Sequence, residues 1–262
     1  GTSVPVITGR PAAGWVDEGA QKPATSGSMT LKTMTPKKLA CIMVVSAEVV
    51  RANPSNYVSL MENNLAEAFA IAFDRAALHD EGPDGSAGAG PFSTYVDETT
   101  KVQELGGTSA ANGGIHVDLV EAMRDIVSDQ DATGRRYRLN GWALDSVVEP
   151  MLWGSVTSTG EPLYTELPVD AVSSAISSAG RLLGRPSFIG EGVASADQTT
   201  VVGYGGDWTQ AAWGVIGGIS YDMSTEASVT INGTLTSLWE YNLVAIRAEA
   251  EADRRVRGIR FR

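Results

Sequence analysis

Residues 53–83 read NPSNYVSLMENNLAEAFAIAFDRAALHDEGP. Asn53 is a good N-cap type, and Pro54 suits the first helical position, where no partner exists for a backbone N–H anyway. Apolar residues then recur at Tyr57, Leu60, Met61, Leu65, Ala68, Phe69, Phe73 and Ala76 or Ala77. That spacing is helical, with one apolar face. It stops at His79-Asp80-Glu81-Gly82-Pro83. The predicted helix has about 27 residues and a length of roughly 40 Å, which is the shape of a strut.

Upstream, Leu39-Ala40-Cys41-Ile42-Met43-Val44-Val45 belongs to a strand predicted from Met29 to Val45, interrupted at Pro36. Trp15-Val16 reads as its partner strand, across the polar turn from Lys22 to Ser28. A hairpin this polar cannot hold itself together in water. It needs a surface to lie on, and another subunit can supply one. Residues 1–13 carry Pro5 and Pro11 and no periodic pattern, so they read as an extended arm.

Downstream, a glycine tract spans Gly82 to Pro91. A second amphipathic helix is predicted from Val117 to Asp129, with Leu119, Val120, Met123, Ile126 and Val127 apolar. Tyr137 to Leu144 reads as a strand, Ser146 to Trp153 as a short helix and Pro168 to Ser178 as a weaker one. Ser187-Phe188-Ile189, Thr199 to Val202 and Gly214 to Tyr221 read as strands separated by Gly-rich turns. From Val244 onward apolar and charged residues alternate. Val244, Ile246, Ala248, Ala250 and Ala252 take one face; Arg247, Glu249, Glu251 and Asp253 take the other. Composition rich in Ala, Glu and Arg favours helix, but the period of two favours a long strand with one wet face. A strand is predicted from Ile246 to Phe261, with a slip near Arg254-Arg255.

The 262 residues are 43% hydrophobic, which excludes a wholly disordered chain, and carry a net charge of −11, which argues against sequence-specific reading of DNA. The Arg-rich end, Arg254, Arg255, Arg257, Arg260 and Arg262, reads either as a contact for DNA phosphates or as a partner of acidic neighbours. A single cysteine, Cys41, excludes internal disulfides and Cys-based zinc sites and reads as a small core residue. Two histidines, His79 and His116, read as solvated or capping groups, and the carboxylates as a solvated face. No HExxH zinc motif, phosphate-binding P-loop, dinucleotide fingerprint or nucleophile elbow is present, so no enzyme, metal or cofactor is expected. No apolar run reaches the length of a membrane span.

The order of features then becomes diagnostic. Gly14-Trp15-Val16-Asp17-Glu18-Gly19 is followed by Met34-Thr35-Pro36-Lys37-Lys38-Leu39-Ala40 and Val44-Val45-Ser46-Ala47-Glu48-Val49-Val50, then the long helix. Near the other end stands Tyr241-Asn242-Leu243-Val244-Ala245-Ile246-Arg247-Ala248-Glu249. This resembles the major capsid protein of tailed bacteriophages of the Hong Kong 97 type, most strongly over 14–50 and 239–262. The resemblance implies an α+β fold. Residues 1–13 become an N-arm, 14–46 an E-loop, and 47–114 a peripheral domain with a spine helix at 53–81. An axial domain follows at 115–222, and 223–262 returns to the peripheral domain. It further implies self-assembly through pentamers and hexamers into an icosahedral virion shell around double-stranded DNA, in the host cytoplasm. Portal, decoration, scaffold or protease proteins are the implied partners, with non-specific contact to DNA. A chain starting at Gly1 without Met fits a product of proteolytic maturation.

Some members of that family weld neighbouring subunits through a Lys–Asn isopeptide bond promoted by a glutamate. The matching candidates are Lys32 (or Lys37 or Lys38), Asn242 and Glu249. The amine must be neutral to attack the amide carbon, and a carboxylate in a partly dry interface can take its proton. The plainer reading has Lys32 in water, Asn242 turning the chain and Glu249 on the wet face. Two rival functions remain open: an encapsulin-type shell holding a cargo enzyme, and a monomeric hydrolase with a polar pocket.

Overall fold

The computed structural model describes residues 2–7, 11, 13–25, 27–52, 57–130, 134–156, 159–166, 177–194, 201–231, 233–255 and 259–261. In chain order the strands and helices are β1 (Thr2–Ile7), β2 (Met29–Met34), β3 (Lys37–Ser46), α1 (Ala47–Ala52), α2 (Tyr57–His79) and β4 (Val102–Gln103). Then come α3 (Gly114–Ser128), β5 (Gly141–Leu144), α4 (Glu149–Trp153), β6 (Tyr164–Glu166), β7 (Ser177–Leu182), β8 (Arg185–Gly190) and β9 (Gly203–Gly206). The last are β10 (Ala212–Ser224), β11 (Ser228–Ile231), β12 (Thr234–Ser237), β13 (Leu243–Arg255) and β14 (Ile259–Phe261). The chain divides into two units. One holds Gly1–Thr35, Arg75–Ala212 and Arg254–Arg262; the other holds Pro36–Asp74 and Trp213–Asp253.

The second unit is built on a three-stranded sheet in the order β10-β13-β3. β13 runs antiparallel to β3, from Leu243 opposite Ser46 to Ala252 opposite Lys37. Alternation along β3 turns Leu39, Cys41 and Met43 toward Leu65 and Phe69 of α2, which also cover Ile246 and Ala248 of β13. Phe69 is 6% exposed. Cys41 is thus a small apolar core neighbour. The α2 face is narrower than its apolar pattern. Leu60 is 53% exposed, and Asn64 and Ala68 are exposed with it. These lie four apart on one ridge, while Leu65 and Phe69 lie on the adjacent ridge that the sheet covers. The proposed cap at Asn53-Pro54 lies outside the described residues. At its other end α2 stops as predicted, at His79, and Asp80 turns the chain with φ +59°.

The first unit contains a seven-stranded sheet in the order β4-β14-β9-β5-β8-β7-β6. One face packs Trp142, Leu144, Leu182 and Ile189 against Leu119, Ala122 and Ile126 of α3. The other packs Tyr204 and Ala143 under Leu78, Val96, Val193 and Val201. Gly203–Gly206, which falls between predicted strands, is itself the buried strand β9. Its glycines admit large neighbours: a Cβ on Gly205 would lie 2.9 Å from the Trp142 ring, and one on Gly203 would lie 2.7 Å from Leu144 Cδ2.

Other readings shift. Trp15-Val16 is not a strand, because Asp17 to Ala20 form a tight turn immediately after it. The partner of β2 is instead β1 in the arm, antiparallel from Thr2 opposite Met34 to Ile7 opposite Met29. The predicted strand from Tyr137 shortens to β5, and Val201-Val202 lie just before β9 rather than in a strand. Most of Pro168 to Ser178, and Thr199-Thr200, lie outside the described residues; Ser177 and Ser178 start β7. The strand predicted from Ile246 to Phe261 is two strands in different sheets: β13 ends at Arg255, and β14 lies between β4 and β9. The side chains of the Arg-rich end lie outside the described residues.

Candidate assembly surfaces

Every described side chain from Ser3 to Thr35 is exposed. Residues 13–25 are all exposed, and Trp15 is 105% exposed. Met29 and Leu31 of β2 are exposed as well. A Trp ring left in water forgoes roughly 1.5–3 kcal/mol or more of burial. Such a segment is stable only when another surface covers it.

Of the crosslink candidates in the second unit, Lys38 and Glu249 meet, and Asn242 stands apart from them. Lys32 lies in β2 opposite Val4, and its side chain is outside the described residues. Asn242 has φ +52° in the turn before β13, and its Nδ2 donates to Glu48 Oε1 at 3.5 Å. Glu249 is seven residues further along that strand, roughly 23 Å away at strand rise. Glu249 Oε2 pairs with Lys38 Nζ at 2.9 Å, and its Oε1 lies 3.6 Å from Arg247 Nε. Arg247 in turn donates to Asp222 at 2.7 Å, and this bond, with Glu249 behind it, raises the guanidinium above its usual value. The wet face of the sheet is therefore an ion-pair ladder across all three strands.

The polar groups of the first unit serve its fold. His79, expected in water or capping the helix, is instead buried. A carbonyl only accepts, so Nε2 donates to Val193 O at 2.7 Å, and the Tyr204 hydroxyl meets Nδ1 at 2.9 Å. His116 is half-buried in the first turn of α3. The carboxylates are not all a solvated face. Asp207 is buried and accepts from Asn140 Nδ2 at 2.9 Å and from the backbone and hydroxyl of Thr209. Asp145 accepts from Val147 N at 3.0 Å and Ala194 N at 3.2 Å; Asp118 accepts from Gly106 N at 2.8 Å. Each is a carboxylate that ties down loop N–H groups. Asp145 and Asp207 each stand two residues before the N–H they hold, a capping signal visible in the sequence. A groove of about 340 Å³ runs beside Asp207, Lys101 and Asp129. Lys101 there donates to Asp125 O at 2.8 Å and pairs with Asp129, so both Lys101 and Asp129 are committed to structure.

Two partly apolar surfaces of this unit are exposed. One comprises Val147, Met151, Trp153 and Val156 around α4; the other centres on Phe188 of β8. Extended arm, uncovered hairpin and exposed aromatics define a class: an α+β subunit whose burial is completed by neighbours. The chain belongs to the Phage capsid family, whose profile matches residues 2–258. It is 39% identical over 256 residues to a probable major capsid protein, gp17, of Mycobacterium phage D29, covering 96% of this chain and 75% of that protein. Among solved structures it is similar to a chain from Gordonia phage Cozz, with a TM-score of 0.69 at 23% identity, over 100% of this chain and 81% of that one. It is also similar to a chain in the capsid of an empty GTA particle computed with C5 symmetry. The TM-score there is 0.56 at 16% identity, over 100% of this chain and 85% of that one. The fold is the Hong Kong 97-like α+β fold, and the protein is a structural component of the virion shell.

Proposed function

We propose that this chain is the major capsid subunit that assembles, through rings of five and six copies, into the closed icosahedral head around double-stranded phage DNA. The observation that carries the reading is the family match over nearly the whole chain. The uncovered arm and hairpin, with Trp15 in water, supply the physical reason for assembly. In the working assignment 1–13 is the N-arm, 14–46 the E-loop and 53–81 the spine helix, with the axial domain at 115–222 and the peripheral domain around it. A net charge of −11 keeps contact with the packaged polyanion non-specific and weak. Asp118, Asp145, Asp207 and His79 are occupied in holding loops, which fits a structural role. Negative-stain microscopy of the purified protein tests this: closed shells with five-fold vertices are expected, and a monodisperse monomer at high concentration refutes it.

A further inference from the structure

We propose that two surfaces of the first unit, on opposite faces of its seven-stranded sheet, mate between successive copies in a ring; the inference rests on the shell reading above. The first surface surrounds α4. Val148 and Leu152 point into the core beside Trp142, which leaves Val147 and Met151, four residues apart, side by side in water. Trp153 is 58% exposed, and it is held in place by an edge-on contact with Tyr164 at 6.1 Å between centroids. Glu149 is half-buried here and has no ion-pair partner among the described residues.

The second surface is on the other side of the sheet. Pairing across β9, β5, β8 and β7 sets Tyr204, Ala143, Phe188 and Ala179 in one row on one face. The cover of Leu78, Val96, Val193 and Val201 reaches Tyr204 and Ala143, and Phe188 is left 59% exposed in mid-sheet. Arg181, two residues along β7 from Ala179, shares this face. It is exposed and has no ion-pair partner among the described residues.

Each surface therefore carries an aromatic anchor and, beside it, a charge with no ion-pair partner among the described residues, and Glu149 and Arg181 are opposite in sign. A two-fold contact of either surface with itself would set like charges against each other. Unlike surfaces on opposite faces of one sheet fit a head-to-tail contact, which closes into a ring when the rotation allows. The occupant is a second copy of this chain, with Trp153 meeting Phe188 at the centre and Glu149 meeting Arg181 beside them.

Charge reversal tests this by counting assembled rings and particles in sedimentation and microscopy. Glu149→Arg and Arg181→Glu alone are each expected to cut particle yield roughly tenfold or more, since like charges then face each other. The double reversal is expected to restore wild-type yield. Thermal melts check that each variant folds. If a reversal lowers Tm, Trp153→Ala and Phe188→Ala take its place and are expected to fold yet not assemble. Wild-type particles with indifferent single variants, or a double reversal that restores nothing, overturn this contact alone. A wild-type chain that forms no particles overturns the shell reading and this contact with it.

Discussion

Replacing Gly205 by alanine probes why a strand in the middle of a sheet carries three glycines. The backbone at Gly205 does not have positive φ, so its conformation admits alanine. The obstacle is space. The new Cβ would sit 2.9 Å from Cε3 and Cζ3 of Trp142 and 3.0 Å from Leu139 Cδ1, whereas carbon atoms prefer about 3.5–4.0 Å. Trp142 has little room to retreat: it is 1% exposed, and its Nε1 donates to Leu182 O at 3.1 Å. Overpacking of this kind costs about 1–3 kcal/mol, partly offset by about 0.4–1 kcal/mol from the stiffer unfolded chain. For a unit of this size the net upper end, about 2.6 kcal/mol, corresponds to a Tm lower by about 5–10 °C, and the lower end to almost no change. Differential scanning calorimetry of the unassembled subunit reads it. Trimming the ring in the Gly205→Ala background, with Trp142→Leu, should cost less than Trp142→Leu does in the wild type, because the two residues are in contact. A Tm that rises in Gly205→Ala, together with additive effects in the cycle, refutes the packing argument.

Phe69→Ala should destabilise the second unit by about 3–5 kcal/mol, measured by denaturant unfolding, since the ring is buried against β13. Lys38→Ala should change stability by less than about 1 kcal/mol in the same assay, because its pair with Glu249 is half in water. Burial holds the Asp80 carboxyl above its ordinary value of 3.8, so folding favours the protonated form. Its ionisation therefore erodes stability as pH rises through the window just above 3.8, and Asp80→Asn should raise Tm at pH 7 with a gain that fades below that value. Deleting Ala24 to Ser28 should leave the subunit's Tm unchanged and reduce particle yield, as counted by microscopy.

Long, strongly periodic segments were legible in the sequence. The alternation from Val244 yields β13, and Pro36 breaks β2 from β3 where it stands. The 3.6-residue rhythm locates α2 but overstates its buried face, because periodicity does not report how wide the covering sheet is. Leu60 is the result. Short buried strands were less legible. Gly203–Gly206 has no side-chain pattern of its own, and what makes it a strand is Trp142, sixty residues away. The pairing of Thr2–Ile7 with β2 was invisible for the same reason: its partner is remote, and no local signal marks it. His79 was misplaced because a polar residue at a helix end reads as solvent-facing, until Val193 and Tyr204 arrive from distant sequence.

The position of β13 and β14 bears on when this chain can fold. β13 is the middle strand of its sheet, and β14 is inserted between β4 and β9 in the other. Translation proceeds at about 5–20 residues per second, and in most proteins the N-terminal parts settle first. Here β3, β4, β9 and β10 are made early and wait for partners that emerge only at residues 243–261. A nascent chain that has not yet reached these residues therefore lacks the keystone of both sheets. Products truncated before residue 243 lack it for good. Both sheets can close only once residues 243–261 have been made.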